Sequence, residues 1–138
     1  MSAWTSLTTA LVTAALPTDI AALYATWLAA NPAKADRLEE ITEEVVATFR
    51  ESAANPNHGE IPDDETQIPT SGYRHAVNLI IFNLGMEMGV QFAPEVYSLC
   101  NQANIWLRMM QTGAFKSIGA PTEGTPSYTA PDPVVLLA

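Results

Sequence analysis

Few side chains in this sequence have the chemistry for catalysis or metal binding: His58, His75, Ser71, Cys100 and the acidic run Glu39, Glu40, Glu43 and Glu44. Carboxylates spaced this way could ligate metal, but di-iron helical sites turn them inward and add Glu-x-x-His pairs. No Glu-x-x-His occurs here, and the four acids oppose the apolar positions Leu38, Ile41, Val45 and Phe49. A solvated helix face is therefore the expectation. His75 follows Ser71 by one helical turn, within reach of a contact. Nucleophilic catalysis also needs an orienting group and an oxyanion site, which no neighbouring residue clearly supplies. A capping Ser71 and a boundary histidine explain the same pair. His58 stands beside Gly59 and Glu60 in a polar stretch and reads as solvent-exposed.

Cys100 is the single cysteine, so no intrachain disulfide can form; within a helical pattern it reads as a small packed side chain. The glycines form neither Gly-x-Gly-x-x-Gly nor Gly-x-x-x-x-Gly-Lys, so no phosphate cradle is expected. Gly85 and Gly89 are four apart, and Gly89 reads most simply as a helix stop. Trp4, Trp27 and Trp106 read as core or interface anchors, and Met86, Met88, Met109 and Met110 as adaptable packing. No enzyme activity, cofactor or metal is expected. Arg74 and Arg108 are rare cations in strongly apolar helices and are candidates for ion pairs between subunits.

Composition narrows the classes further. A chain of 138 residues with 48% apolar content fits one globular domain. Fifteen acidic against six basic residues give a net charge of −9, and ten of the acids lie between Asp36 and Glu65. That balance opposes binding to nucleic acid or to anionic membranes, since both reward Lys and Arg. It leaves open a surface past which DNA slides. No secretory leader is expected, because no basic residue precedes the mildly apolar residues 7–16. No window approaches the roughly 20 apolar residues of a membrane span.

The elements follow from periodicity and punctuation. Residues 1–16 are read as an N-terminal segment with a short helix ending before Pro17. Residues 17–113 form a helical core domain, and residues 114–138 an extended arm. Ile20, Leu23, Tyr24, Trp27 and Leu28 recur at helical intervals. Asn31-Pro32 looks like an N-cap with proline at the first helical position, opening an acidic amphipathic helix to about Ala54. Residues 55–68 read as an exposed acidic loop. Thr70 or Ser71 is expected to cap a helix running to Met88, charge-free from Ala76 to Met86 and apolar on more than one side. One of those sides is expected to meet another subunit. Pro94 opens the last helix, ending near Thr112. Pro121, Pro126, Pro131 and Pro133 favour an extended path for the arm, which ends in Val134-Val135-Leu136-Leu137-Ala138. The expected fold is thus all-α: a small bundle of about four helices with an acidic inter-helix loop and a C-terminal arm. No strand is expected.

The order of these features resembles the small head-to-tail connector, or adaptor, proteins of tailed bacteriophages. The likeness covers roughly residues 32–115. It rests on the acidic helix ending Val45-Val46-Ala47-Thr48-Phe49-Arg50, on Ile68-Pro69-Thr70-Ser71-Gly72-Tyr73-Arg74-His75 before the charge-free helix, and on Arg108-Met109-Met110-Gln111-Thr112-Gly113 before the tail. It implies a homo-oligomeric ring, commonly of twelve subunits, seated below the portal protein in the virion neck and assembled in the host cytoplasm. Such a ring extends the DNA channel without binding DNA specifically, and it docks a further neck or tail protein. On this reading Tyr128, Val134, Val135, Leu136 and Leu137 are arm-docking contacts, while Asp63, Asp64 and Glu65 face the channel or the next ring. The alternative is a helical protein-binding module, regulatory or antitoxin-like, whose tail docks on a single target.

Overall fold

The structure, a computed structural model, describes residues 3–54 and 61–112. In chain order they form strand β1 (Trp4–Ser6), helix α1 (Thr9–Ala15), helix α2 (Thr18–Ala30), a 3-10 turn (Pro32–Lys34), helix α3 (Arg37–Ala53), strand β2 (Gln67–Pro69), a second 3-10 turn (Thr70–Gly72), and helices α4 (Tyr73–Met88) and α5 (Pro94–Gln111). The fold is mostly helical, as the periodicity predicts. It departs from the expected all-α bundle of about four helices in having five helices and a two-stranded antiparallel ribbon.

Helices α3, α4 and α5 make the centre. Leu38, Ile41, Val45, Val46 and Phe49 are buried along α3, with Glu39, Glu40, Glu43 and Glu44 exposed on its other side. The Phe49 ring stacks on Trp106 of α5 at 5.2 Å between centroids. Trp106 also lies flat against Gly72, where an added Cβ would come within 2.6 Å of the indole. Helix α4 runs between α3 and α5 and also touches α1 and α2. Ala76, Ile80 and Leu84 are fully buried on it, and Val77, Leu79, Ile81 and Phe82 half-buried. The chain itself thus covers much of the helix that was expected to need a neighbouring subunit. Asn83 is exposed and needs no buried partner.

The cover comes from the N-terminal segment. β1 pairs with β2 in the register Trp4↔Pro69, Thr5↔Ile68 and Ser6↔Gln67. The flanking bonds, Thr70 N–H to Ala3 C=O at 2.8 Å and Leu7 N–H to Thr66 C=O at 2.9 Å, set the alternation. Pro69 therefore falls at a non-hydrogen-bonded pair, where its missing N–H costs nothing. Trp4, Leu7 and Val12 join the same core cluster as Phe49 and Trp106. The division expected after residue 16 therefore marks no boundary in the packing.

Arg50, near the end of α3, fixes the approach to β2. Its Nη1 donates to the carbonyls of Asp64 (2.7 Å) and Gln67 (2.8 Å), and its Nη2 to that of Pro62 (2.6 Å). Within that turn, Asp64 Oδ1 accepts from the Thr66 N–H at 2.9 Å and from the Thr66 hydroxyl at 2.8 Å. An irregular segment has carbonyls with no ladder to join, and one guanidinium satisfies three of them.

Two expected caps are absent in their expected form. The Asn31 side chain donates back to Trp27 C=O at 2.9 Å, and Pro32 opens a 3-10 turn, with α3 starting at Arg37. Thr70 and Ser71 lie in the second 3-10 turn, and the Thr70 hydroxyl meets that of Thr5 at 2.6 Å. The stop at Gly89 is as expected: its φ is +78°, Val90 N–H reaches Gly85 C=O at 2.8 Å and Gly89 N–H reaches Met86 C=O at 3.1 Å. This is the Schellman pattern. Gly85 has a second duty, because a Cβ there would sit 2.1 Å from the Phe92 ring.

Replacing Arg50 by Met is expected to cost about 3 kcal/mol in urea unfolding, because three carbonyls lose a charged donor. Gly85→Ala should cost about 1–2 kcal/mol, the gain in helix propensity being outweighed by displacement of Phe92; a melting temperature at or above that of the native chain would contradict the packing described.

Candidate functional site

The titratable groups are placed as follows. His75, on α4, has its ring 6.1 Å from that of Trp106 and makes no hydrogen bond to the exposed Ser71. Burial lowers its pKa from the ordinary value. Cys100 is buried on α5, and burial pushes its thiol up, away from the reactive thiolate. His58 lies outside the described residues. Among the described residues no group of three or more His, Cys, Asp or Glu could hold a metal ion, and no helix is long and apolar enough to cross a membrane.

The acidic residues fall into two kinds. Glu87 and Glu40 are paired: Arg37 reaches Glu87 at 3.0 Å and Glu40 at 3.3 Å, and Lys34 reaches Glu87 at 3.7 Å. These contacts tie the end of α4 to the start of α3. Among the described residues Glu39, Glu43, Glu51 and Glu65 form no ion pair, although all four line one concavity. This groove, of about 730 Å³, lies between the start of α1, one flank of α3 and the segment 61–66. Leu7, Val46, Ala47 and Ile61 give it an apolar lining, and Arg50, engaged with the three carbonyls, lies at one end. Thr42 is also part of the lining; it is 3% exposed, and its Oγ1 has no hydrogen-bond partner among the described residues.

The expected site residues are scattered rather than gathered. Asp63, Asp64 and Glu65 are exposed on the turn that Arg50 holds. The Thr66 N–H and then its hydroxyl keep the Asp64 carboxyl below its ordinary value. Arg74 on α4 and Arg108 on α5 are exposed and form no ion pair among the described residues. Tyr128, Val134, Val135, Leu136 and Leu137 lie outside the described residues. The chain matches no protein-family model, no characterised protein and no solved structure.

A surface not anticipated from the sequence is the outer side of α5. Tyr97 is 46% exposed and Ile105 52% exposed, and Arg108 lies on the same side as Tyr97, three turns on. Leu99 is also exposed. No charged residue occurs on α5 between Glu95 and Arg108. Tyr97 meets Phe82 edge-on at 5.4 Å, and Phe82 stacks on Phe92 at 5.4 Å, so the patch continues onto the α4–α5 hairpin, where Met86 is exposed. The signal available in the sequence is the run of twelve uncharged residues between Glu95 and Arg108 in a chain otherwise rich in acids.

Because the folded state lowers the His75 pKa, the unfolded chain binds more protons just below the ordinary value of 6.5. Stability present above pH 6.5 should thus fall as pH drops through the folded value. His75→Gln should flatten that part of a urea-midpoint-against-pH curve and leave the region above pH 7 unchanged in slope.

Proposed function

We propose that this chain is a structural assembly subunit, and specifically a head-to-tail adaptor of a tailed bacteriophage that forms a ring below the portal. The observation that carries the reading is the outer side of α5. A helix side that exposes Tyr97 and Ile105, with only the uncharged Ser98, Asn101 and Asn104 among them and Arg108 unpaired among the described residues, has the make-up of an interface. The order of features along residues 32–115 supports the finer identification.

In the proposed ring the α5 face of one copy meets a different face of the next, and such a heterologous contact repeats until it closes. Arg108 and Arg74 supply cations to a neighbour whose exposed surface is rich in carboxylates. The acidic outer face of α3 and the turn at Asp63, Asp64 and Glu65 offer a lining along which DNA passes without adhering, because like charge repels it. Tyr128 and Val134 to Leu137 act as the tether to the portal or to the adjoining subunit.

Tyr97→Glu combined with Ile105→Glu should leave the helical circular dichroism intact and abolish rings in electron micrographs of the chain mixed with a portal ring. Removal of residues 126–138 should preserve the fold and reduce incorporation into particles by about tenfold or more, the loss of one docking contact of roughly 1.4 kcal/mol or more. A chain that stays a monomer or dimer at every concentration, with or without a portal, would replace the ring by a binding module for a single target.

A further inference from the structure

We infer that the groove between α1, α3 and the segment 61–66 is a docking site for a basic amphipathic segment of another polypeptide. The inference concerns a surface other than the α5 face and does not need the ring. Three observations carry it.

The first is shape and lining. A concavity of about 730 Å³ floored by Leu7, Val46, Ala47 and Ile61 has the size and apolar character of ligand and peptide grooves. The second is charge. Glu39, Glu43, Glu51 and Glu65 edge this floor without a cation of their own, because the local cations are already committed. Lys34 and Arg37 serve Glu40 and Glu87, and Arg50 serves backbone carbonyls. A second copy of this chain is a poor source of the missing charge: each copy carries −9 overall and has only Arg74 and Arg108 unpaired among the described residues. A partner with several Lys or Arg beside apolar side chains complements the groove on both counts. The third is Thr42. A hydroxyl buried in a residue only 3% exposed, with no partner among the described residues, is unusual, since burial without a hydrogen bond costs about 1–3 kcal/mol. It is the one such side-chain atom among the described residues, and it lies in this lining. The hydroxyl is closed to solvent, so a hydrogen-bonding group of the incoming segment relieves it by drawing the Thr42 side chain round toward the groove.

The occupant lays its apolar side chains on Val46 and Ile61 and directs ammonium or guanidinium groups to the glutamate rim. Because those carboxylates are exposed, the attraction is screened by salt.

The test uses the full chain and an 18-residue amidated peptide of Leu and Lys in amphipathic helical order, followed by calorimetry. Its counterpart with Glu in place of Lys is the control. The expected result is saturable one-to-one binding of the basic peptide, weakened by salt, and none of the acidic one. The groove variant E39Q/E43Q/E51Q should lose at least about tenfold in affinity. The variant D36N/E44Q/E95Q, with the same change in net charge outside the groove, should lose less than about threefold. Thr42→Val should weaken binding while raising the melting temperature, a split that a purely structural role would not produce. Absence of saturable binding, or equal losses in the two triple variants, would overturn the proposal. So would unchanged affinity in both Thr42→Val and the groove variant. Self-association of the chain alone, abolished by E39Q/E43Q/E51Q, would give the groove to a second copy and overturn it too.

Discussion

The guanidinium of Arg50 is the contact on which the architecture turns. The carbonyls of Pro62 and Asp64 belong to a stretch without regular structure, and that of Gln67, at the start of β2, falls at a non-hydrogen-bonded pair of the ribbon and points away from β1. Drawing all three toward the flank of α3 sets the direction in which the chain enters β2. That direction aligns Gln67–Pro69 with Trp4–Ser6, and the pairing delivers Trp4 and Leu7 to the core. A lysine has a single donor centre and could not span three acceptors in this fork-like way. One side chain on the polar edge of an amphipathic helix thus organises residues from both ends of the fold.

Charge is distributed with the same economy. Three of the six cations of this chain are used internally where α3 begins and ends, Arg37 with Lys34 at one end and Arg50 at the other. Carboxylates farther along the α3 flank are left to solvent. A different arrangement holds on α5, whose exposed residues between Glu95 and Arg108 are all uncharged, Tyr97 and Ile105 standing among Ser98, Asn101 and Asn104. Two outer surfaces of such different character, on helices that pack against each other inside, make the molecule a two-faced block. Such a block favours contacts between unlike faces over contacts of a face with its own copy.

Much of this was legible in the sequence, and the rest was not for definite reasons. The buried stripe Leu38-Ile41-Val45-Phe49, the stop at Gly89 and the start at Pro94 are local patterns, and the structure places each where periodicity and backbone chemistry put it. The ribbon was illegible because strands of three residues carry no alternation, and Pro69 argues against a strand unless the register is known. Asn31-Pro32 misled because the cap signature does not separate an α-helix from a 3-10 turn. The groove could not be foreseen, since Leu7, Thr42 and Ile61 come from three distant parts of the chain. That the greasy faces of α4 find cover from α1 and α2 depends on tertiary placement, which composition cannot supply.

The pairing of β1 with β2 joins residues more than sixty positions apart. Closing so long a span costs chain entropy before any contact is made. The α4–α5 hairpin, by contrast, turns within a few residues of Gly89 and can form as soon as it leaves the ribosome. Residues 4–6 are made before residues 67–69 and must wait for them, so Trp4 and Leu7 lack this cover until the second strand has emerged and the long span has closed. That interval is a chaperone's opportunity at Trp4.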